Sequence, residues 1–332
     1  MGRPFKVVGT RGRFVESEHK VVYAVVKDGK VIDSGGDISL NRAMRSSAKL
    51  IQALVCLETG AAETYRFTDA ELAVIASSHG GTELHTKAVS RMLRKCGLSE
   101  RHLQCGPQRP LDDKAYEKLL LSGRKPQRIH HNCSGKHAGI LSASKYMGWP
   151  LRTYRRRDHP WNKRVFELVS LFTGIRAPKI SHAIDGCGVP VIFVPVRHAA
   201  LAFARYSTPE SLPESIAGAC RRMSRAVNRH PVHCSGPNRF LAALYGAAPN
   251  RFVAKEGGQG VFCLGVLGEN MGIAIKVLDG RPMAFNPYEQ VAIELLKRHG
   301  LLNNEELASL DSFVHRKLYN SRGEVIGEVK IV

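Results

Sequence analysis

The chain has 332 residues and is 43% hydrophobic, enough to bury a sizeable core in one large domain or two intimate ones. Its net charge is +20, but the basic clusters at 152–157, Arg124-Lys125 with Arg128, and Arg221-Arg222 are not interleaved with aromatics. No helix-turn-helix, RNP or zinc-finger spacing accompanies them, so a solvated basic surface is expected ahead of a nucleic-acid role.

No run approaches the roughly 18 apolar residues of a membrane span, and the N-terminal segment lacks the about 7–15-residue apolar stretch of a secretory signal. A soluble, cytoplasmic protein is expected. The eight cysteines, at 56, 96, 105, 133, 187, 220, 234 and 263, form no C-x-x-C pair and read as reduced thiols, mostly packed in cores.

In chain order, segments 21–26 and 30–34 flank Asp28-Gly29 and predict a hairpin with a type I′ turn. Helices are expected over 48–59, 69–76, 86–96, 112–122 and 135–147. Glycines stop most of these, and Thr68 with Glu71 forms a capping box for the second. A further helix starts at Pro160, and later ones cover about 212–228, 238–246 and 287–299. Segments 260–267 and 271–278 flank Gly268-Glu269-Asn270 as a second hairpin, and 324–332 reads as a last strand.

Strands at both ends with helices between predict a mixed α/β (α+β) fold: one antiparallel sheet built from both chain ends, flanked by helices, with an inserted helical lobe. No alternating βαβ units are present, which argues against a doubly wound sheet. The chain is expected as one domain over 1–332, with a sheet subdomain in 1–60 and 250–332 and a mostly helical subdomain in 61–249. At the level of fold this resembles the serine β-lactamase, penicillin-binding-protein and glutaminase group.

The chemistry concentrates first in Arg45-Ser46-Ser47-Ala48-Lys49. On a helix, Ser46 and Lys49 lie one turn apart on one face, whereas Ser47 points elsewhere. A lysine takes a serine proton only as a neutral amine, so its usual pKa of ~10.4 must fall by ~3 units. Alone, S-x-x-K reads as a helix start with a solvated lysine.

More segments share this richness: Ala76-Ser77-Ser78-His79-Gly80-Gly81, His130-His131-Asn132-Cys133-Ser134-Gly135-Lys136-His137-Ala138-Gly139, Asp185-Gly186-Cys187-Gly188-Val189-Pro190 and Lys255-Glu256-Gly257-Gly258. Taken singly, Asp185 reads as a turn residue, Arg45 as a surface cation, His79 and His137 as satisfied helix-end histidines, and the cysteines as inert thiols.

Together, in this order, the segments resemble the L-asparaginase II family of bacterial and fungal enzymes, whose prototype is the inducible class 3 enzyme of Rhizobium etli. The resemblance runs from about residue 7 to the end and includes His230-Pro231 and the tail Asn320-Ser321-Arg322-Gly323. It implies an amidohydrolase converting L-asparagine to L-aspartate and ammonia, working as a homodimer. It matches Ser46 with Lys49 to one catalytic tandem and Ser78 with Lys255 to a second. It implies a zinc ion held by Cys133, Lys136, Cys187 and a water. Arg45, His79, His137 and Asp185 match substrate-binding positions.

Departures stand beside these matches. Thr82 replaces an acidic residue of the family, and the segment from Gly236 moves an arginine to Arg239. L-Glutamine hydrolysis, another serine amidase or esterase activity, and a catalytically weak basic nucleic-acid-binding protein are the alternatives. A β-lactamase would carry K-T-G or S-D-N, and neither is present.

Overall fold

The computed structural model describes residues 2–280 and 285–332. Among them the strands are β1 (Phe5–Arg11), β2 (Phe14–Lys27), β3 (Lys30–Gly35), β4 (Asn41–Ala43), β5 (Ser181–Ile184), β6 (Pro190–Pro195), β7 (Phe252–Gly257), β8 (Val261–Val266), β9 (Met271–Val277), β10 (Lys317–Tyr319) and β11 (Val325–Ile331). The helices are α1 (Lys49–Glu58), α2 (Ala61–Thr64), α3 (Asp69–Ile75), α4 (Glu83–Lys95), α5 (Asp113–Leu121), α6 (Ser134–Tyr146) and α7 (Pro160–Thr173). They continue with α8 (Val196–Ser207), α9 (Glu214–Arg229), α10 (Pro231–Cys234), α11 (Phe240–Ala247), α12 (Pro287–Arg298), α13 (Asn304–Ser309) and α14 (Asp311–Val314). Among the described residues no helix is long and apolar enough to cross a membrane.

The chain divides into two compact units, the first made of residues 1–47, 194–207 and 243–332. Its sheet runs β10-β11-β1-β2-β9-β8-β7, with β3 also on β2, and its ladders are antiparallel. Both chain ends therefore supply the sheet, as expected. The β2–β3 turn has Asp28 at φ 49° and Gly29 at φ 77°, the two positive angles a type I′ turn demands.

The buried half of β2 has Val21–Val26 inaccessible at every position, so both faces of the sheet are covered there. Helices α8 and α12 both pack on β2 and β9. Helix α8 comes unusually close. A Cβ on Gly272 would lie 2.1 Å from the Ala200 carbonyl oxygen, and one on Gly265 would lie 2.3 Å from that of Phe203. Alanines on the helix and glycines on the strands let the two backbones meet.

The second unit is residues 48–193 and 208–242. At its centre α1 and α6 are buried almost all round, and α1 packs on α6, α7 and α9. Helix α6 approaches α3 through the glycines of the Ser134-Gly135-Lys136-His137-Ala138-Gly139 run. A Cβ on Gly135 would lie 2.2 Å from the Val74 oxygen, and one on Gly139 would lie 2.7 Å from the Ile75 side chain. Thr68 and Glu71 form the expected capping box on α3.

The limits of these units differ from the expected 1–60, 61–249 and 250–332. Helix α1 belongs with the helices, because its apolar surface is covered by other helices. Helix α8 belongs with the sheet it packs against.

Candidate active site

Ser46 lies in a 3-10 turn, Arg45–Ala48, that runs into α1 at Lys49. The turn differs from the single helical face expected of S-x-x-K. Arg45 opens it at φ 50°, a left-handed backbone that a β-carbon disfavours. Ser46 is half-buried, while Ser47 is buried and donates to the Met44 carbonyl at 2.7 Å. The two serines thus differ in burial.

In the first unit Arg45 packs beside Gly257 and Gly258, just past Lys255 on β7. Lys255 is fully buried, with its ammonium 3.1 Å from the Glu256 carboxylate and donating to the Glu256 carbonyl.

In the second unit Lys49 is 1% exposed. Its Nζ donates to the Ser77 carbonyl at 2.6 Å and to Ser78 Oγ at 3.1 Å. Ser78 follows the end of α3, where Ser77 Oγ closes the last turn by donating to the Val74 carbonyl at 2.7 Å. A buried lysine amine thus stands within proton-transfer reach of a serine hydroxyl.

His79, expected to touch substrate, is fully buried with both ring nitrogens engaged inside the protein. Gly81 N–H donates to Nδ1 at 3.1 Å, so Nε2 carries the proton toward Ser134 Oγ at 2.9 Å. Burial, with His85 and Lys49 nearby, keeps this ring neutral, well below the usual histidine range. Its effect is to anchor the Ser78 turn to the start of α6.

The start of α6 and the β5–β6 turn supply the thiols. Cys133 is the N-cap residue of α6, and Lys136 lies in its first turn. Cys187 lies in the loop after β5, where Asp185 Oδ1 accepts from Gly186 N–H at 2.8 Å and the Asp185 carbonyl accepts from Gly188 N–H at 2.8 Å. Lys136 Nζ donates to Cys187 Sγ at 3.1 Å.

Cys187 is held well below the usual thiol range, first by the Cys133 thiol donating to it, then by the Lys136 ammonium and His137 against the cost of burial. Cys133 is pushed up, by that same bond and by burial. Burial opposes the charge on Lys136, but Cys187, Cys133 and Asp185 outweigh it and raise its pKa. Asp185 is therefore a turn residue whose charge also reaches this cluster.

No set of three His, Cys, Asp or Glu side chains among the described residues is placed to hold a metal. The cluster present uses a lysine as its third donor. Two soft thiols and an amine nitrogen, buried close together, are a mixed sulfur–nitrogen donor set that fits a zinc ion once deprotonated.

The sequence profile of the family described as L-asparaginase II matches residues 7–331. The chain belongs to the L-asparaginase II family. No curated protein sequence gives a significant match. Solved structures that match include a β-lactamase from Mycobacterium bovis, at 13% identity and TM-score 0.44, covering 84% of this chain and 94% of that one. Another is a D-alanine carboxypeptidase from Burkholderia cenocepacia, at 13% identity and TM-score 0.39, covering 88% and 92%.

The departures from the asparaginase II pattern have defined places. Thr82 precedes α4, and its hydroxyl meets His85 Nδ1 at 2.7 Å, while His85 Nε2 meets the Val232 carbonyl at 3.0 Å. His85 stacks on His79, ring centroids 5.1 Å apart. Thr82 thus completes a neutral histidine stack behind Ser78. Arg239 Nη1 donates to the Ser78 carbonyl at 3.1 Å and to that of Ser235 at 3.3 Å. The displaced arginine lands on the backbone of the second serine. Sequence spacing gave no sign of this contact, although Arg239 and Thr82 each stood out from the family's pattern.

Proposed function

We propose that this asparaginase II chain hydrolyses the side-chain amide of L-asparagine to L-aspartate and ammonia through a serine acyl-enzyme. The observation that carries the reading is the buried Lys49 amine, 3.1 Å from Ser78 Oγ in a chain whose S-x-x-K also ends at Lys49. Lys49 is the base. Ser46, three residues ahead of it in the chain, attacks the amide carbon. Its proton passes to Lys49, and the C–O bond forms as the carbonyl electrons move to oxygen.

On collapse, Lys49 returns that proton to the leaving nitrogen and ammonia departs. Water then attacks the ester, giving its proton to Lys49, and aspartate leaves as Ser46 is reprotonated. Ser78, on the Lys49 amine, relays the proton. Lys255 is the second lysine of the machinery, Arg45 binds the substrate carboxylate and Asp185 its ammonium.

Cys133, Lys136 and Cys187 would hold zinc. When bound, the ion supplies positive charge that keeps its three donors deprotonated and disfavours a charged Lys49. His137 interacts with Cys187. The same reading carries a cytoplasmic homodimer, which light scattering tests as the mass of two 36.6 kDa chains.

A second reading, with Ser78 as the nucleophile, is favoured by the same Lys49–Ser78 contact. Ammonia release from L-asparagine, with L-glutamine in parallel, tests the reaction. Labelling with a diazoketone analogue of asparagine, followed by peptide mass mapping, tests the nucleophile. A label on Ser46, with activity lost in Ser46→Ala, supports the first assignment, and a label on Ser78 supports the second. No ammonia from either amide in the zinc-loaded protein removes the amidohydrolase reading.

A further inference from the structure

Behind the cysteine–lysine cluster lies a chain of polar groups whose proton positions are determined by elimination. The backbone N–H of Gln104 donates to the Tyr154 hydroxyl at 2.6 Å, and that hydroxyl lies 2.7 Å from His137 Nδ1. A backbone amide can only donate, so Tyr154 Oη accepts there. The hydroxyl proton then needs its own acceptor, and the residue is fully buried. Nδ1 is the acceptor within reach. A neutral imidazole that accepts at Nδ1 carries its proton at Nε2.

Nε2 is buried and makes no conventional hydrogen bond among the described residues. The His137 ring interacts with Cys187, and with Nδ1 taken by Tyr154 the nitrogen left for that sulfur is Nε2. The same stretch grips Cys187's loop from a second side. Arg155 donates from Nε to Gln104 Oε1 at 2.9 Å, and its Nη1 lies 2.8 Å from where a Cβ on Gly188 would stand. Gln104 in turn donates from its amide nitrogen to the Arg152 carbonyl at 3.0 Å. Gln104 is thus the common anchor of both arms.

We propose that Tyr154, oriented by the Gln104 backbone, is a positioning residue that fixes His137 as the Nε2–H tautomer and aims that proton at the Cys187 sulfur. The inference rests on Cys133, Lys136 and Cys187 being the metal-holding core. A thiolate that keeps one N–H donor while it ligates has its lone pairs oriented before the metal arrives, which lowers the cost of assembling the site. Tyr154→Phe retains the edge-on ring contact with His137, whose centroids are 5.4 Å apart, and removes only the hydroxyl.

The test is nitrogen-15 NMR of the His137 ring in the full chain, paired with zinc affinity from chelator competition. Wild type is expected to show an unprotonated Nδ1 and a protonated Nε2. Tyr154→Phe is expected to lose that single tautomer and to bind zinc about 10–100-fold more weakly, with an unchanged helical circular dichroism spectrum. A protonated Nδ1 in wild type overturns the proposal without any variant. So does a Tyr154→Phe protein that keeps the Nε2–H tautomer or the full zinc affinity. These readouts need no turnover. A failed ammonia assay would strike the amidohydrolase reading alone, and a shifted tautomer would strike this one alone.

Discussion

The Lys49 amine bridges the carbonyl of Ser77 and the hydroxyl of Ser78, although it begins a different helix from the one that delivers them. That contact couples α1 to the turn after α3 and places a buried amine at a serine that S-x-x-K spacing does not include. The first prediction follows from it.

Lys49→Met keeps the four-atom apolar stem of the side chain and removes the amine. Asparagine hydrolysis is expected to fall by about 10²–10⁴-fold, the range of a lost general base, while the protein still melts cooperatively. Steady-state ammonia release alongside a thermal melt checks this. A variant retaining a tenth or more of wild-type kcat would take Lys49 out of the proton chemistry.

Arg239 holds the carbonyls of Ser78 and Ser235. Arg239→Met is expected to lower kcat by about 10–100-fold through misplacement of the serine turn, with a smaller change in KM. An effect confined to KM would make Arg239 a substrate contact and not a backbone clamp.

Metal analysis of the purified chain is expected to give one zinc per chain, lost on dialysis against a chelator. Cys133→Ser and Lys136→Met are each expected to lower occupancy, since three protein donors leave none to spare. Full occupancy in both variants would place any bound zinc elsewhere.

Burial pushes His85 down to about 4. An unfolded histidine titrates near ~6.5, so below that pH the unfolded chain binds more protons than the folded one. The contribution of neutral His85 is therefore complete above pH ~6.5 and is lost as pH falls towards about 4. The whole effect is on the order of 3 kcal/mol at most. Urea unfolding from pH 7 to 4 should show a flatter pH dependence for His85→Gln than for wild type. Parallel curves would mean that His85 accepts its proton without cost.

Gly272 faces the backbone of α8, where a Cβ would stand 2.1 Å from the Ala200 oxygen. Gly272→Ala is expected to cost about 1–3 kcal/mol or more, because helix and strand must part. Gly246→Ala, in α11 with open space around it, is the control and is expected to be neutral or slightly stabilising. Equal melting temperatures for the two variants would contradict the close packing.

Much of this architecture was readable where local chemistry decides it. Asp28-Gly29 specifies its turn by the two positive angles it adopts, and Thr68 with Glu71 specifies the start of α3. Helix α8 was not anticipated. Prolines at 190 and 195 and the valines between them read as strand, and buried alanines within Val196–Ser207 blur the contrast between its faces. Strand β7 was hidden by Lys255-Glu256, charges that pair with each other inside the fold.

The chemistry-bearing segments could be named from the chain, but not who meets whom. Lys49 with Ser78, Arg239 with the Ser78 carbonyl, and Tyr154 with His137 are contacts between distant elements. Spacing along one helix cannot show them. Cys133, Lys136 and Cys187 were legible as a set only through the family resemblance.

Strand β1 sits between β2 and β11, and Val7 pairs with Ile331. On the ribosome, β1 therefore emerges long before its partner β11, with the helices between them made in the interval. During that interval this edge of β1 offers unpaired backbone groups to any neighbouring chain. Residues 48–193 need not wait for β11, so their helices can pack while the sheet is unfinished. Yield in a cell should thus respond to chaperone supply and to the rate of translation before it responds to substitutions at Ser46 or Ser78.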